Sequence, residues 1–325
     1  MNQRKLLLYL GLSFGFSWAI LALGTWIGPD NQIGGLLTGV LYMWGPALAV
    51  MTLTSFGRKE SLKPYGWQFE RLRWPWILTN AFLPIGILIL TLFMVYLLGN
   101  VSQIEGFGTL DLSRDGMHHR MEEIAIEAGQ NPDEMNAFTE LEIPVPVLLI
   151  VLAFGGLVGG VTVNLIASFG EEIGWRGFML RETRSLGYWK SAILIGVVWG
   201  LWHAPLIYLG HNYPGHPWEG IAMMVFFCIA MSLVMNLLAM KSSTIAGPSA
   251  FHGVTNGIAG SSLVLVHDAN PLIGGVAGVA GILALLMVAS VLIATQGKYL
   301  KDWHLHSYDP EEEEKENASR MAETP

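Results

Sequence analysis

The sequence predicts an all-α, polytopic membrane protein of about eight transmembrane helices. Three observations carry that expectation. Of 325 residues, 52% are hydrophobic and only 14% are charged, with a mean hydropathy of +0.45; a soluble domain carries roughly 25% charged residues. Apolar runs of about 20 residues, the length a helix needs to cross a bilayer, recur along the chain. Basic residues, moreover, gather on one side once those runs are threaded back and forth.

The runs cover 6–27, 33–56, 76–98, 145–169, 191–209, 221–240, 245–266 and 273–295. In lipid each must be a helix, because an isolated strand leaves backbone groups without partners. The first is too long for a signal-peptide core and lacks a small-residue cleavage site after it, so it is expected to be retained. The fourth lies within 28 uncharged residues, 143–170. The fifth and seventh carry His203 and His252 and are the most polar of the set.

The organisation expected is three N-terminal transmembrane helices (1–98), an acidic external loop (99–142), core helices 4–7 plus helix 8 (143–297) and an acidic tail (298–325). The loop holds Glu122, Glu123, Glu127, Asp133 and Glu134, with a short amphipathic helix expected over 117–128. The tail contains the charge run Asp309-Pro310-Glu311-Glu312-Glu313-Glu314 and is expected to be disordered.

With the N-terminus in the cytoplasm, 16 of the 18 basic residues fall inside, and only Arg114 and Arg120 fall outside. That is the bias of the positive-inside rule, and it places both termini in the cytoplasm. No basic patch points to nucleic acid. The single cysteine, Cys228, excludes an internal disulfide.

The uncharged stretch ends in Ser168-Phe169-Gly170-Glu171-Glu172-Ile173-Gly174-Trp175-Arg176. Glu171 lies 10 residues before Arg181, His203 lies 13 after Lys190, and His252 lies 11 after Lys241. At about 1.5 Å per residue, the three share a depth of roughly 15–20 Å from their basic anchors. Glu172 and Arg176 are spaced i,i+4 and are expected to pair along one helix face. His252 and Asn256 share that spacing and are expected to face one cavity. Gly170, Gly174 and Gly177 leave room for close helix approach. Ionisable groups inside a bilayer are costly and mark function.

Such a set suits hydrolysis. A carboxylate and an imidazole take a proton from water while a neighbouring donor steadies the oxyanion. Alternatively, Glu171, His203 and His252 bind Zn²⁺ and acidify its water. Glu171 is the expected base, and Glu172, held by Arg176, the expected positioning group. Other intramembrane protease chemistries fit poorly. The chain has no His-Glu-x-x-His sequence and no aspartate pair within a span, and neither Ser249 nor Cys228 sits in a nucleophile setting.

Three short motifs carry a resemblance. Glu171-Glu172-Ile173-Gly174-Trp175-Arg176 matches Glu-Glu-x-x-x-Arg, Trp199-Gly200-Leu201-Trp202-His203 matches Phe-x-x-x-His with tryptophan for phenylalanine, and His252-Gly253-Val254-Thr255-Asn256 matches His-x-x-x-Asn. In these the chain resembles the CPBP family of intramembrane endopeptidases, which includes the CAAX prenyl protease type 2 enzymes and the bacterial Abi, or bacteriocin-processing, proteins. The resemblance covers about 161–260.

It implies catalytic roles for Glu171, Glu172, Arg176, His203, His252 and Asn256. Glu171 and His203 would activate water, while His252 and Asn256 would stabilise the oxyanion or help hold a metal. No resident cofactor is required; Zn²⁺ is the alternative, and the metal-free route is favoured. The expected partners are the lipid bilayer and a membrane-associated protein or peptide substrate, with prenylated proteins as one class. A bacterial plasma membrane is the expected location. Two other readings stay open: a non-catalytic membrane scaffold, chaperone or bacteriocin-immunity protein, and a proton-coupled transporter using Glu171 and His203 as a relay.

Overall fold

A computed structural model describes residues 2–28, 32–55, 61–70, 72–127 and 144–308. Each of the eight apolar runs contains helix, although the eighth, 273–295, opens with turns and becomes helical only at Val279. The helices are α1 (Gln3–Ile27), α2 (Gln32–Met43), α3 (Gly45–Ser55), α4 (Trp74–Val95), α5 (Arg114–Glu127), α6 (Val145–Val161), α7 (Val163–Glu172), α8 (Leu180–Thr183), α9 (Tyr188–Trp202), α10 (Ala204–Tyr208), α11 (Pro217–Ser242), α12 (Ala246–Leu265), α13 (Val279–Thr295) and α14 (Gly297–Lys301). The protein is all-α and polytopic, as expected.

The spans are less uniform than eight straight rods. Three helices, Gln3–Ile27, Trp74–Val101 and Pro217–Ser242, are each long and apolar enough to cross a membrane unbroken. Two bent pairs, at 44° between α2 and α3 and 50° where α6 meets the segment Val163–Leu186, reach the same length and hydropathy when each is taken as one unit. The remaining runs are shorter or more polar: α9 has 15 residues, α13 has 17, and α12 carries His252 and Asn256 among its glycines and serines.

Each break has a chemical cause. Pro46 lacks the N–H that would bond the Tyr42 carbonyl; Ser17 Oγ, from α1, donates to that carbonyl instead at 2.8 Å. At the second bend, Thr162 Oγ1 donates to Val158 O at 2.6 Å, a back-bond of the kind that bends helices. In the fifth run, Pro205 removes the donor that would close on Leu201, and the helix stops at Trp202.

Close packing around the central helices rests on glycine. A Cβ on Gly253 of α12 would lie 2.3 Å from the Gly160 carbonyl of α6, and one on Gly174 would lie 2.4 Å from Pro46 Cβ. At Gly170 and Gly177 a Cβ would lie 2.8 Å from Trp44 and 2.6 Å from the Tyr65 carbonyl. These contacts bring α3, α6 and α12 onto the segment that bears the carboxylates.

The described part of the acidic loop is ordered onto the end of α12. Strands β1 (Thr109–Leu110) and β2 (Val266–His267) pair antiparallel, and Asn100 brackets Leu110 by accepting from its N–H and donating to its carbonyl. The helix expected over 117–128 is α5, starting three residues earlier. Asp133 and Glu134 lie outside the described residues, as do Arg58, Lys59, Arg71, Lys315, Arg320 and the acidic run after Tyr308.

The expected tail boundary needs correction, because 298–308 folds back onto the helices. Trp303 and Tyr308 are buried. Tyr308 Oη donates to the Arg176 carbonyl at 3.0 Å, and Gln68 Nε2 donates to the carbonyls of Ser243 and Tyr308. Two buried aromatics outweigh the polar composition that suggested disorder.

Candidate active site

The carboxylates sit where α7 widens into a π-helical turn, Ile173–Met179, and the whole of that turn is buried. Adjacent residues on a helix point about 100° apart, so Glu171 and Glu172 address different neighbours.

Glu172 meets charge. Its Oε1 accepts from Arg176 Nη1 at 3.1 Å and from His252 Nδ1, on α12, at 2.9 Å. The expected Glu172–Arg176 pair is therefore present and fully buried. Arg176 also donates through Nη2 to Ser232 Oγ of α11 at 3.1 Å, and its guanidinium lies 4.3 Å from the centre of a Trp199 ring. Pairing, hydrogen bonds and the aromatic face are what make a buried charge tolerable.

Glu171 meets indoles. Its Oε2 accepts from Trp199 Nε1 at 2.7 Å and from Trp175 Nε1 at 3.2 Å. Trp175 is one turn along the same segment, whereas Trp199 comes from α9. No cation binds Glu171 directly among the described residues.

His203 is placed by the break in the fifth run. Its backbone N–H turns to the Gly200 carbonyl, at 3.2 Å, so the Trp199 carbonyl accepts from the ring instead, 2.8 Å from His203 Nδ1. A carbonyl only accepts, so Nδ1 carries the proton and Nε2 keeps its lone pair. The ring packs edge-on to Trp202, with centroids 4.8 Å apart. His252 is oriented in the same sense by the Glu172 carboxylate, and its ring meets the edge of Trp199 at 5.4 Å.

Five of the six candidates, Glu171, Glu172, Arg176, His203 and His252, are thus joined through Glu172 and Trp199. Asn256 stands apart. It is one turn beyond His252 on α12 but exposed, while His252 is 5% exposed. Of the two residues expected to face one cavity, Asn256 is thus the more open. Gly253 and Gly257 of α12 are pressed onto α6, and Asn256 is rotated about 100° from Gly257, off the packed face.

Ser232 and the two indole N–H groups were not identified from sequence as site groups. Trp175, four residues after Glu171, carried a readable i,i+4 signal; a lone serine in an apolar helix carried none. Among the described residues, no three His, Cys, Asp or Glu side chains are grouped to hold a metal ion. Glu171 and His203 both bond to Trp199 and His252 bonds to Glu172, and these contacts leave Glu171 Oε1 and the Nε2 atoms of both imidazoles outside the bonds. Ser249 is buried and donates to the Ile245 carbonyl, and Cys228 is buried beside Met224.

Residues 146–258 match the family described as Rce1-like, Type II CAAX prenyl endopeptidase. That stretch contains all six candidates. Over 50 residues the chain is also 42% identical to a CAAX prenyl protease 2 from Methanococcus maripaludis. The matched segment is 15% of this chain and 18% of the relative, so the chain spans under a fifth of that relative's length. The similarity to these endopeptidases therefore lies in the central helices, residues 146–258.

Proposed function

We propose that the protein is an intramembrane endopeptidase that hydrolyses a peptide bond in a membrane-associated or lipidated protein or peptide. The observation that carries this reading is the division of labour between adjacent carboxylates. Glu172 is bonded to the Arg176 guanidinium and the His252 imidazole, whereas the hydrogen bonds to Glu171 come from two indole N–H groups.

In the proposed reaction, Glu171 takes a proton from water as the oxygen attacks the scissile carbonyl. His203 helps to hold the water through Nε2. The oxyanion is stabilised by His252, which as an imidazolium donates Nε2–H, and by the Asn256 amide. Glu171 then passes its proton to the leaving amine, which restores the carboxylate. Water and peptide become a carboxylic acid and an amine, and no other reactant is consumed. General base catalysis of this kind contributes about 10²–10⁴-fold.

Within this reading the substrate class is a prenylated protein cleaved near its C-terminus, in keeping with the name of the family matched by residues 146–258. The test is to reconstitute the protein in vesicles with two internally quenched peptides, one farnesylated at a cysteine three residues from its C-terminus and one unmodified. Preferential cleavage of the farnesylated peptide is expected. Equal cleavage would remove the lipid from the specificity. Cleavage of neither, while proteolysis of host membrane proteins proceeds, would point to another substrate.

A further inference from the structure

Glu171 has two oxygens in different situations. Oε2 receives both indole donors, Trp199 Nε1 at 2.7 Å and Trp175 Nε1 at 3.2 Å. Among the described residues Oε1 has no hydrogen-bond partner, although the residue is only 1% exposed. An indole N–H donates and never accepts. Two such donors on one oxygen fix the plane of the carboxylate and cannot compete for its proton.

We infer that Trp199 and Trp175 are positioning residues that tether Glu171 through Oε2, so that Oε1 is the oxygen which accepts the proton from water. This rests on the proposed role of Glu171 as base. It also gives a physical meaning to the departure from Phe-x-x-x-His. A phenylalanine at 199 would keep an aromatic face beneath the Arg176 guanidinium, now at 4.3 Å, but it has no N–H for Glu171.

Trp199 is well placed for the task. Its backbone carbonyl orients the His203 ring, its indole N–H orients Glu171, and its rings contact Arg176 and His252. The same residue therefore sets the base and the imidazole beside it in register. Trp175 supplies the second, longer bond from within the π turn, so each donor restrains the carboxylate when the other is lost.

The test compares wild type with E171Q, W199F, W175F and the double variant W175F/W199F in a deletion host at matched, folded levels. The readout is the initial rate at which wild-type-dependent peptide termini appear in membranes. A fifth protein carries benzothienylalanine at 199, which keeps the shape of tryptophan and replaces the N–H by sulfur. Hydrogen bonds to a charged group are worth roughly ten- to a hundredfold. We expect each single loss, the isostere included, to slow the rate by about tenfold, and the double variant to fall close to E171Q. A wild-type rate from the isostere and from W175F, with E171Q inactive, overturns the tether and leaves the protease reading intact. Termini unchanged in E171Q overturn both.

Discussion

His252 Nδ1 lies 2.9 Å from Glu172 Oε1, joining α12 to the end of α7 at the point where Arg176 Nη1 also reaches that oxygen. One carboxylate therefore holds a guanidinium and an imidazole from different segments, and the neighbouring carboxylate is left to indole donors. That asymmetry is the basis for assigning Glu171 to chemistry and Glu172 to position.

The Glu172–Arg176 pair is fully buried, so removing one member strands a charge. R176A is expected to cost about 3–5 kcal/mol of stability, as well as activity. Thermal unfolding in detergent measures this. An unfolding temperature equal to that of wild type would show that the pair does not hold the segments together.

Gly253 is expected to tolerate no side chain. G253A would set a Cβ 2.3 Å from the Gly160 carbonyl, with the Leu165 N–H also close, and backbone cannot move aside cheaply. Overpacking of this kind costs roughly 1–3 kcal/mol. G15A, where nothing lies within 4 Å, is the control and is expected to unfold like wild type.

Much of this site was legible in the sequence, for identifiable reasons. Charge is so costly in an apolar chain that Glu171, Glu172 and Arg176 stood out, and i,i+4 spacing anticipated the Glu172–Arg176 contact. The His252–Glu172 bond was not legible, because 80 residues separate its ends and only the packing of α12 onto α6 and α7 brings them together. Trp175 and Trp199 read as apolar mass, which hid their N–H groups. Pro205 did announce the break at His203, yet a continuous run over 191–209 was the expectation, since apolar composition outweighed a single proline. Trp303 and Tyr308 were masked by the acidic run that follows them.

Chelation should not stop the reaction. Treatment with EDTA or 1,10-phenanthroline, followed by the termini assay, is expected to leave the rate unchanged under the proposed route, in which Glu171 takes the proton from water. Loss of activity restored by added Zn²⁺ would reinstate the metal alternative.

Outside the spans, Asp111 makes a pH-dependent contribution. The Ser113 hydroxyl and backbone N–H bind its carboxyl and hold it below the usual carboxylate range. A depressed folded-state value stabilises the turn above the unfolded value, about pH 3.9, and the stabilisation is lost as pH falls through the folded value. Hydrogen exchange across 109–116 should therefore quicken on acidification in wild type, and D111N should lack that component. Equal pH dependence in both proteins would remove Asp111 as its cause.

The central claim is that Glu171 is the base of a membrane-embedded hydrolytic site. Its most direct test needs no known substrate. Wild type and E171Q are expressed at matched levels in a deletion host, and newly formed peptide termini in membranes and medium are compared by mass spectrometry. Termini that form only with wild type, with E171Q folded and at least about a hundredfold slower, are the predicted result. Identical termini from two folded proteins, each restoring the deletion phenotype, would contradict it and leave the polar cluster a structural role.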